Sequence, residues 1–164
     1  MGSNVSTTLL GSVMPRRLVS MLFVALLGLT LALNPMSAPK AEAAVPLTVS
    51  LSALRAATAQ TGVPYRYGGT SPRTGFDCSG LTQYSYARVG RKLPRTAQQQ
   101  YNATIRIPWS ARRLGDLVFF YSGHSIYHVG VYAGSWYMIA APHTGARVLK
   151  ERIWSTQIVF GRVR

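Results

Sequence analysis

One cysteine occurs in the 164 residues, Cys78, and it lies in GFDCSGLTQYSYARVG (Gly75 to Gly90), where a flexible turn runs into residues of helical spacing. A thiol at the first turn of a helix meets unpaired backbone N–H groups and the positive end of the helix dipole, both of which favour thiolate. The same N–H groups can hold the oxyanion that forms when sulfur attacks a carbonyl. Such a nucleophile needs a base that later protonates the leaving group, and histidine is the usual choice. His124, His128 and His143 are available. His128 opens the alternating segment HVGVYAG, a predicted strand that would fix its ring on one face, whereas His124 sits in the turn SGHS. Spacing alone leaves the choice between them open. The ordinary alternative for Cys78 is an inert thiol buried in the core.

The elements that must position these groups change in texture along the chain. Leu47 to Gln60 carries Leu51, Leu54 and Ala57 at helical spacing and stops before Gly62 and Pro64. The stretch VPYRYGGTSPRTGF, rich in Gly, Pro, Ser and aromatics, reads as a structured loop delivering Asp77 and Cys78. A second helix follows from near Cys78 to the Gly90 stop. A third short one is signalled by Thr96 and Gln99, a capping-box pattern. Past Trp109 the segments LVFFY, HVGVYA, WYMIAA, ARVLKE and TQIVFGRVR are short, β-branched or aromatic, and separated by turn residues. Helices followed by strands predict an α+β domain with an antiparallel sheet. Asp116 reads as a turn residue before a strand, Arg95 as a solvated cation or an anchor for an anionic substrate, and Trp109, Trp136 and Trp154 as core or groove wall.

Arg16 and Arg17 precede the apolar run Leu18 to Leu33, and Ala41-Glu42-Ala43 supplies an A-x-A site. This pattern predicts a secretory signal peptide over residues 1–44, with an uncleaved anchor as the alternative. The domain then spans 45–164 and acts outside the cytoplasm. A lone cysteine makes no internal disulfide, and a free thiol in an oxidising compartment favours a chemical role. After Ala44, fifteen Lys and Arg oppose three acids, a net charge of about +12. That balance suits an anionic cell-wall polymer or lipid head groups, with a basic surface that only confers solubility as the alternative; the cations are scattered and no nucleic-acid module is recognisable, so nucleic acid is not expected. No second apolar run of spanning length occurs, so no membrane contact is expected once the leader is removed. His and carboxylate spacings match no known metal site. A monomer is the default.

Three stretches carry a resemblance. YRYGGTSPRTGFDCSGLTQYSYARVGRKLPRTAQQQ, LGDLVFFY and HVGVYAGSWYMIAAP resemble, in order and spacing, the NlpC-type family of papain-like cell-wall cysteine peptidases, over about Leu51 to Arg164. The resemblance implies a papain-like fold, a nucleophile at Cys78, a catalytic histidine at His128, and substrate-pocket roles for Tyr65, Asp77 and Ser79. It implies no metal and no organic cofactor. The implied substrate is the peptidoglycan stem peptide, commonly cut between D-γ-glutamate and a diamino acid.

One position departs from the family pattern. The polar residue that orients the catalytic histidine, twelve places after it, falls here on Ala140. A methyl group accepts no hydrogen bond. His143, Thr144, a backbone carbonyl or a water could take that third position. Two further readings follow: a catalytically weak or silent wall-binding module, and an amidase or transferase on the same scaffold.

Overall fold

The computed structural model describes residues 43–164, so the apolar run and nearly all of the expected leader lie outside it. Helix α1 (Leu47–Thr58) turns the small side chains of Ser50, Ala53 and Ala57 inward, which lets it approach the sheet closely. Helices α2 (Cys78–Ala87) and α3 (Ala97–Ala103) occupy the two other regions predicted from sequence. The capping box of α3 is formed in both directions, Thr96 Oγ1 accepting the Gln99 N–H and Gln99 Oε1 accepting the Thr96 N–H, each at 3.2 Å.

The loop between α1 and α2 holds structure that the sequence did not announce. Strands β1 (Thr70–Ser71) and β2 (Gly75–Phe76) pair antiparallel within it. Two-residue strands carry no measurable periodicity.

The main sheet contains β3 (Ile105–Ile107), β4 (Leu117–Ser122), β5 (Ser125–Gly134), β6 (Tyr137–Ala140), β7 (Leu149–Arg152) and β8 (Ile158–Arg162). Their order is β3-β8-β4-β5-β6-β7, and every neighbouring pair is antiparallel. The predicted α+β architecture therefore stands, with β3 as an added short edge strand.

Both faces of the sheet are covered, which explains the unbroken apolar run of β4. On one face Phe119, Val129, Val131 and Ile139 pack against Ala53, Leu81 and Tyr86 of the helices. On the other, Val118, Phe120, Tyr132, Met138, Ala140 and Phe160 pack with Ile153 from the β7–β8 connection. Asp116 is fully buried and bonded by Arg162, Nε to Oδ1 and Nη2 to Oδ2, both at 2.8 Å. It is a structural anchor before β4 and more than a turn residue.

A register shift between Phe120 and Tyr121 leaves Tyr127 as an extra residue in β5. Bulges of this kind re-aim neighbouring side chains. Here the shift lets Ile126 pack on the helix side while His128 pairs with Phe120 on the opposite face.

Candidate active site

Cys78 is the first residue of α2, and the residue before it fixes its position. Asp77 caps the helix: Oδ1 accepts the Gly80 N–H at 2.7 Å and Oδ2 accepts the Gly68 N–H at 2.9 Å. Arg95 binds both carboxylate oxygens and also donates Nη1–H to Ser79 Oγ at 3.0 Å. Burial alone would raise the Asp77 carboxyl, but the guanidinium and the two backbone N–H groups outweigh it and hold it below the usual carboxylate range. Backbone contact completes the mount. A Cβ on Gly80 would stand 2.0 Å from the Gly69 carbonyl oxygen, so glycine is the residue that allows the loop to press on the helix start.

Cys78 opens on a cavity of about 440 Å³ whose wall includes Tyr65, Asp77, Ser79, Arg95 and Tyr127. The structure thus brings Tyr65, Asp77, Cys78 and Ser79 to one place. Asp77 and Ser79 are 7% and 6% exposed, and the Asp77 oxygens are occupied by the bonds just described, so Asp77 shapes the cavity chiefly by holding Arg95 and the Gly68 loop. The Tyr65 hydroxyl is pushed up by burial and by the neighbouring Cys78 and Asp77 charges.

Gln100 was not singled out from sequence, yet it is fully buried and ties the helices together. Its Nε2–H groups donate to the Ser79 and Pro94 carbonyls at 2.9 Å, and its Oε1 accepts from Thr82 Oγ1 at 2.7 Å. A glutamine in a QQQ run carries no signal of burial. The only available pointer was its place in the helical stripe of α3.

His128 is 4% exposed and packs beside the stacked rings of Phe120 and Trp154, with ring centroids 5.4 and 5.3 Å away. It does not face the open cavity, whose wall is completed by its neighbours Ile126 and Tyr127. Its link to Cys78 runs through the next residue of β5, Val129, whose backbone N–H acts on the sulfur.

Burial pushes the His128 imidazole down to about 4. Burial likewise pushes the Cys78 thiol up, aided by the Asp77 charge and opposed by the Val129 and Ser79 N–H groups. The sequence predicts a thiolate-prone cysteine; in the folded chain burial instead shifts the Cys78 thiol and the His128 imidazole toward their neutral forms.

Among the described residues His128 Nε2 finds no hydrogen-bond partner. Ala140 is fully buried on the same sheet face. His143 does not fill the gap: it is exposed, and its Nδ1–H donates to the Thr144 carbonyl at 2.9 Å. No group of three or more His, Cys, Asp or Glu among the described residues is placed to hold a metal ion.

A cysteine at a helix start, opening on a cavity where helices pack on an antiparallel sheet, defines a class, and comparison with known proteins gives its family. The NlpC/P60 family model matches residues 62–163, and the chain belongs to that family. The bifunctional muramidase/DL-endopeptidase CwlT of Bacillus subtilis is 47% identical over 109 residues, 63% of this chain and 33% of that protein. The murein DD-endopeptidase MepH of Escherichia coli is 43% identical over 112 residues, 63% of this chain and 41% of that protein. The chain therefore spans well under half the length of these relatives. Among solved structures, the NlpC/p60 domain of the peptidoglycan hydrolase SagA superposes with a TM-score of 0.63 at 33% identity, covering 70% of this chain and 98% of that one.

Proposed function

We propose that this protein is an exported peptidoglycan endopeptidase that cleaves stem-peptide amides, at the bond between D-γ-glutamate and a diamino acid. The observation that carries this reading is the single thiol at the first turn of α2, opening on a cavity beside the strand of His128. The family and the named activities of CwlT and MepH support it.

Cys78 is the nucleophile and His128 the base. As sulfur attacks the amide carbonyl carbon, the thiol proton passes to the imidazole and the carbonyl electrons move to oxygen. Backbone N–H groups at the start of α2 stabilise that oxyanion. The imidazolium then gives its proton to the departing amine and a thioester remains. His128 next draws a proton from water, the hydroxide attacks the thioester, and the sulfur leaves as thiol with the acid product. Because the resting pair is neutral, proton transfer accompanies attack instead of preceding it. Tyr65, Asp77 and Ser79 bound the stem-peptide site, and Arg95 presents the positive charge there. No cofactor takes part. Residues 1–44 are the leader, and 45–164 work at the cell wall as a monomer.

A second reading keeps the fold and drops the chemistry. The Nε2 of His128, unpartnered among the described residues, together with Ala140 at the usual place of an orienting group, favours a silent wall-binding module, and an amidase or transferase would use the same thioester. Soluble stem peptides of known structure, incubated with the wild-type protein and Cys78→Ala and read by mass spectrometry, separate these. The endopeptidase yields two peptides split at the D-γ-glutamyl bond, with wild type only. Cleavage elsewhere or transfer to an added amine would reassign the reaction, and no cleavage by folded protein between about pH 5 and 9 would leave the binding module.

A further inference from the structure

The turn joining β5 to β6 breaks a local rule. Gly134 pairs with Tyr137 across a two-residue connection, and the residues between them, Ser135 and Trp136, have φ of 48° and 65°. Two consecutive positive φ angles are what Asn-Gly accommodates best in such hairpins. A tryptophan there is an outlier. Backbone strain of this kind persists where the surroundings over-determine it and clusters at sites with a task.

The strained backbone presents a large, incompletely covered ring. Trp136 is 39% exposed, Trp109 beside it is 41% exposed at a centroid distance of 4.5 Å, and the Arg112 guanidinium lies 3.8 Å over Trp109. Trp154, 52% exposed, forms with Trp136 the walls of a second cavity of about 160 Å³. Its remaining lining is Arg152, Ile153, Ser155 and Thr156. Two flat aromatic walls, two hydroxyls and a guanidinium, with no carboxylate, suit a ring that is apolar on its faces and polar at its rim. A pyranose has that character: its axial C–H groups pack on the negative face of an indole, and its oxygens meet the hydroxyls and Arg152. The cavity has room for about one such ring and not for a length of peptide. Trp154 also connects it to the reacting groups, stacking on Phe120 at 4.4 Å and lying 5.3 Å from the His128 ring.

We propose that the Trp136–Trp154 cavity binds a sugar of the peptidoglycan glycan strand while the attached stem peptide occupies the Cys78 cavity. This deepens the endopeptidase reading and rests on it for the identity of the polymer. Sugar recognition would place the stem relative to the sulfur, so intact wall would be preferred over free peptide.

The test titrates the full-length Cys78→Ala protein, which cuts nothing, with peptide-free glycan strands while following tryptophan fluorescence. Saturable quenching is expected, insensitive to 0.5 M salt. The double variant Ser135→Asn with Trp136→Gly gives the turn the residues it favours, so its Tm should hold or rise while glycan affinity falls at least tenfold. Arg152→Ala, at an exposed side chain, is the second variant and should weaken binding severalfold. In the catalytically intact background, the double variant should lose at least fivefold more activity on whole sacculi than on a sugar-free stem peptide. No binding by the parent, equal binding by the variants, or binding abolished by salt, the mark of a charged wall polymer, overturns the proposal. Failure of the sugar-free peptide to be cut would instead count against the endopeptidase reading, since the glycan titration involves no cleavage.

Discussion

At the scale of the residue, His128 is held neutral by burial and given nothing to offset it. An imidazolium at that position would lack an acceptor at Nε2, and Ala140 offers only a methyl group. In the proposed mechanism Cys78 and His128 therefore start from thiol and imidazole, with the thiol above and the imidazole below their ordinary ranges. Introducing an acceptor as Ala140→Asn should raise the imidazolium's stability, move the pH–rate profile toward neutral pH and increase kcat/KM by about tenfold, part of the roughly four orders that a lost orienting partner costs a serine triad. Steady-state kinetics from about pH 5 to 10 would check it. An unmoved profile would show that another group already orients the ring.

At the scale of the element, the sulfur is placed by the contact between the Gly68–Gly69 loop and the start of α2. Gly80→Ala would drive a methyl group to 2.0 Å from the Gly69 carbonyl oxygen, which is backbone and cannot swing away. We expect a destabilisation of about 2 kcal/mol or more, visible in urea unfolding, and slower alkylation of Cys78 by iodoacetamide. Much of this was legible in the sequence. The helix starting at Cys78, the capping box at Thr96 and Gln99, and most of the sheet followed from spacing and turn residues. What escaped depends on tertiary contact. The β1–β2 pairing and the edge strand β3 are too short for a period to show. The burial of Gln100, the Asp116–Arg162 pair and the Asp77–Arg95 pair join residues that only the fold brings together. The burial that raises the Cys78 thiol escaped for the same reason: helix-terminal chemistry is local and readable, whereas desolvation in the folded chain is not.

At the scale of the whole molecule, the buried imidazole ties stability to pH. Its folded value of about 4 lies below the ordinary 6.5, so between these limits the unfolded chain binds the extra proton. The stabilisation is complete above about pH 6.5 and is lost as pH falls toward 4, amounting to about 3 kcal/mol. Asp77, held below its ordinary 3.8, extends the loss at still lower pH. Denaturant unfolding at several pH values should show this slope, and His128→Gln should flatten it between 6.5 and 4. The net charge of about +12 after Ala44 acts on a different property: the proposed wall binding through scattered cations should weaken as salt rises.

The central claim is that Cys78 becomes covalently acylated with His128 as its base. Intact-mass analysis of the protein quenched in acid during turnover of a stem peptide measures this directly. The account predicts a transient adduct equal in mass to the acyl half of the substrate, mapped to Cys78, formed at least a hundredfold more slowly in His128→Ala and absent in Cys78→Ser. Product release with no adduct at any quench time, or with the same rate in His128→Ala, would contradict it.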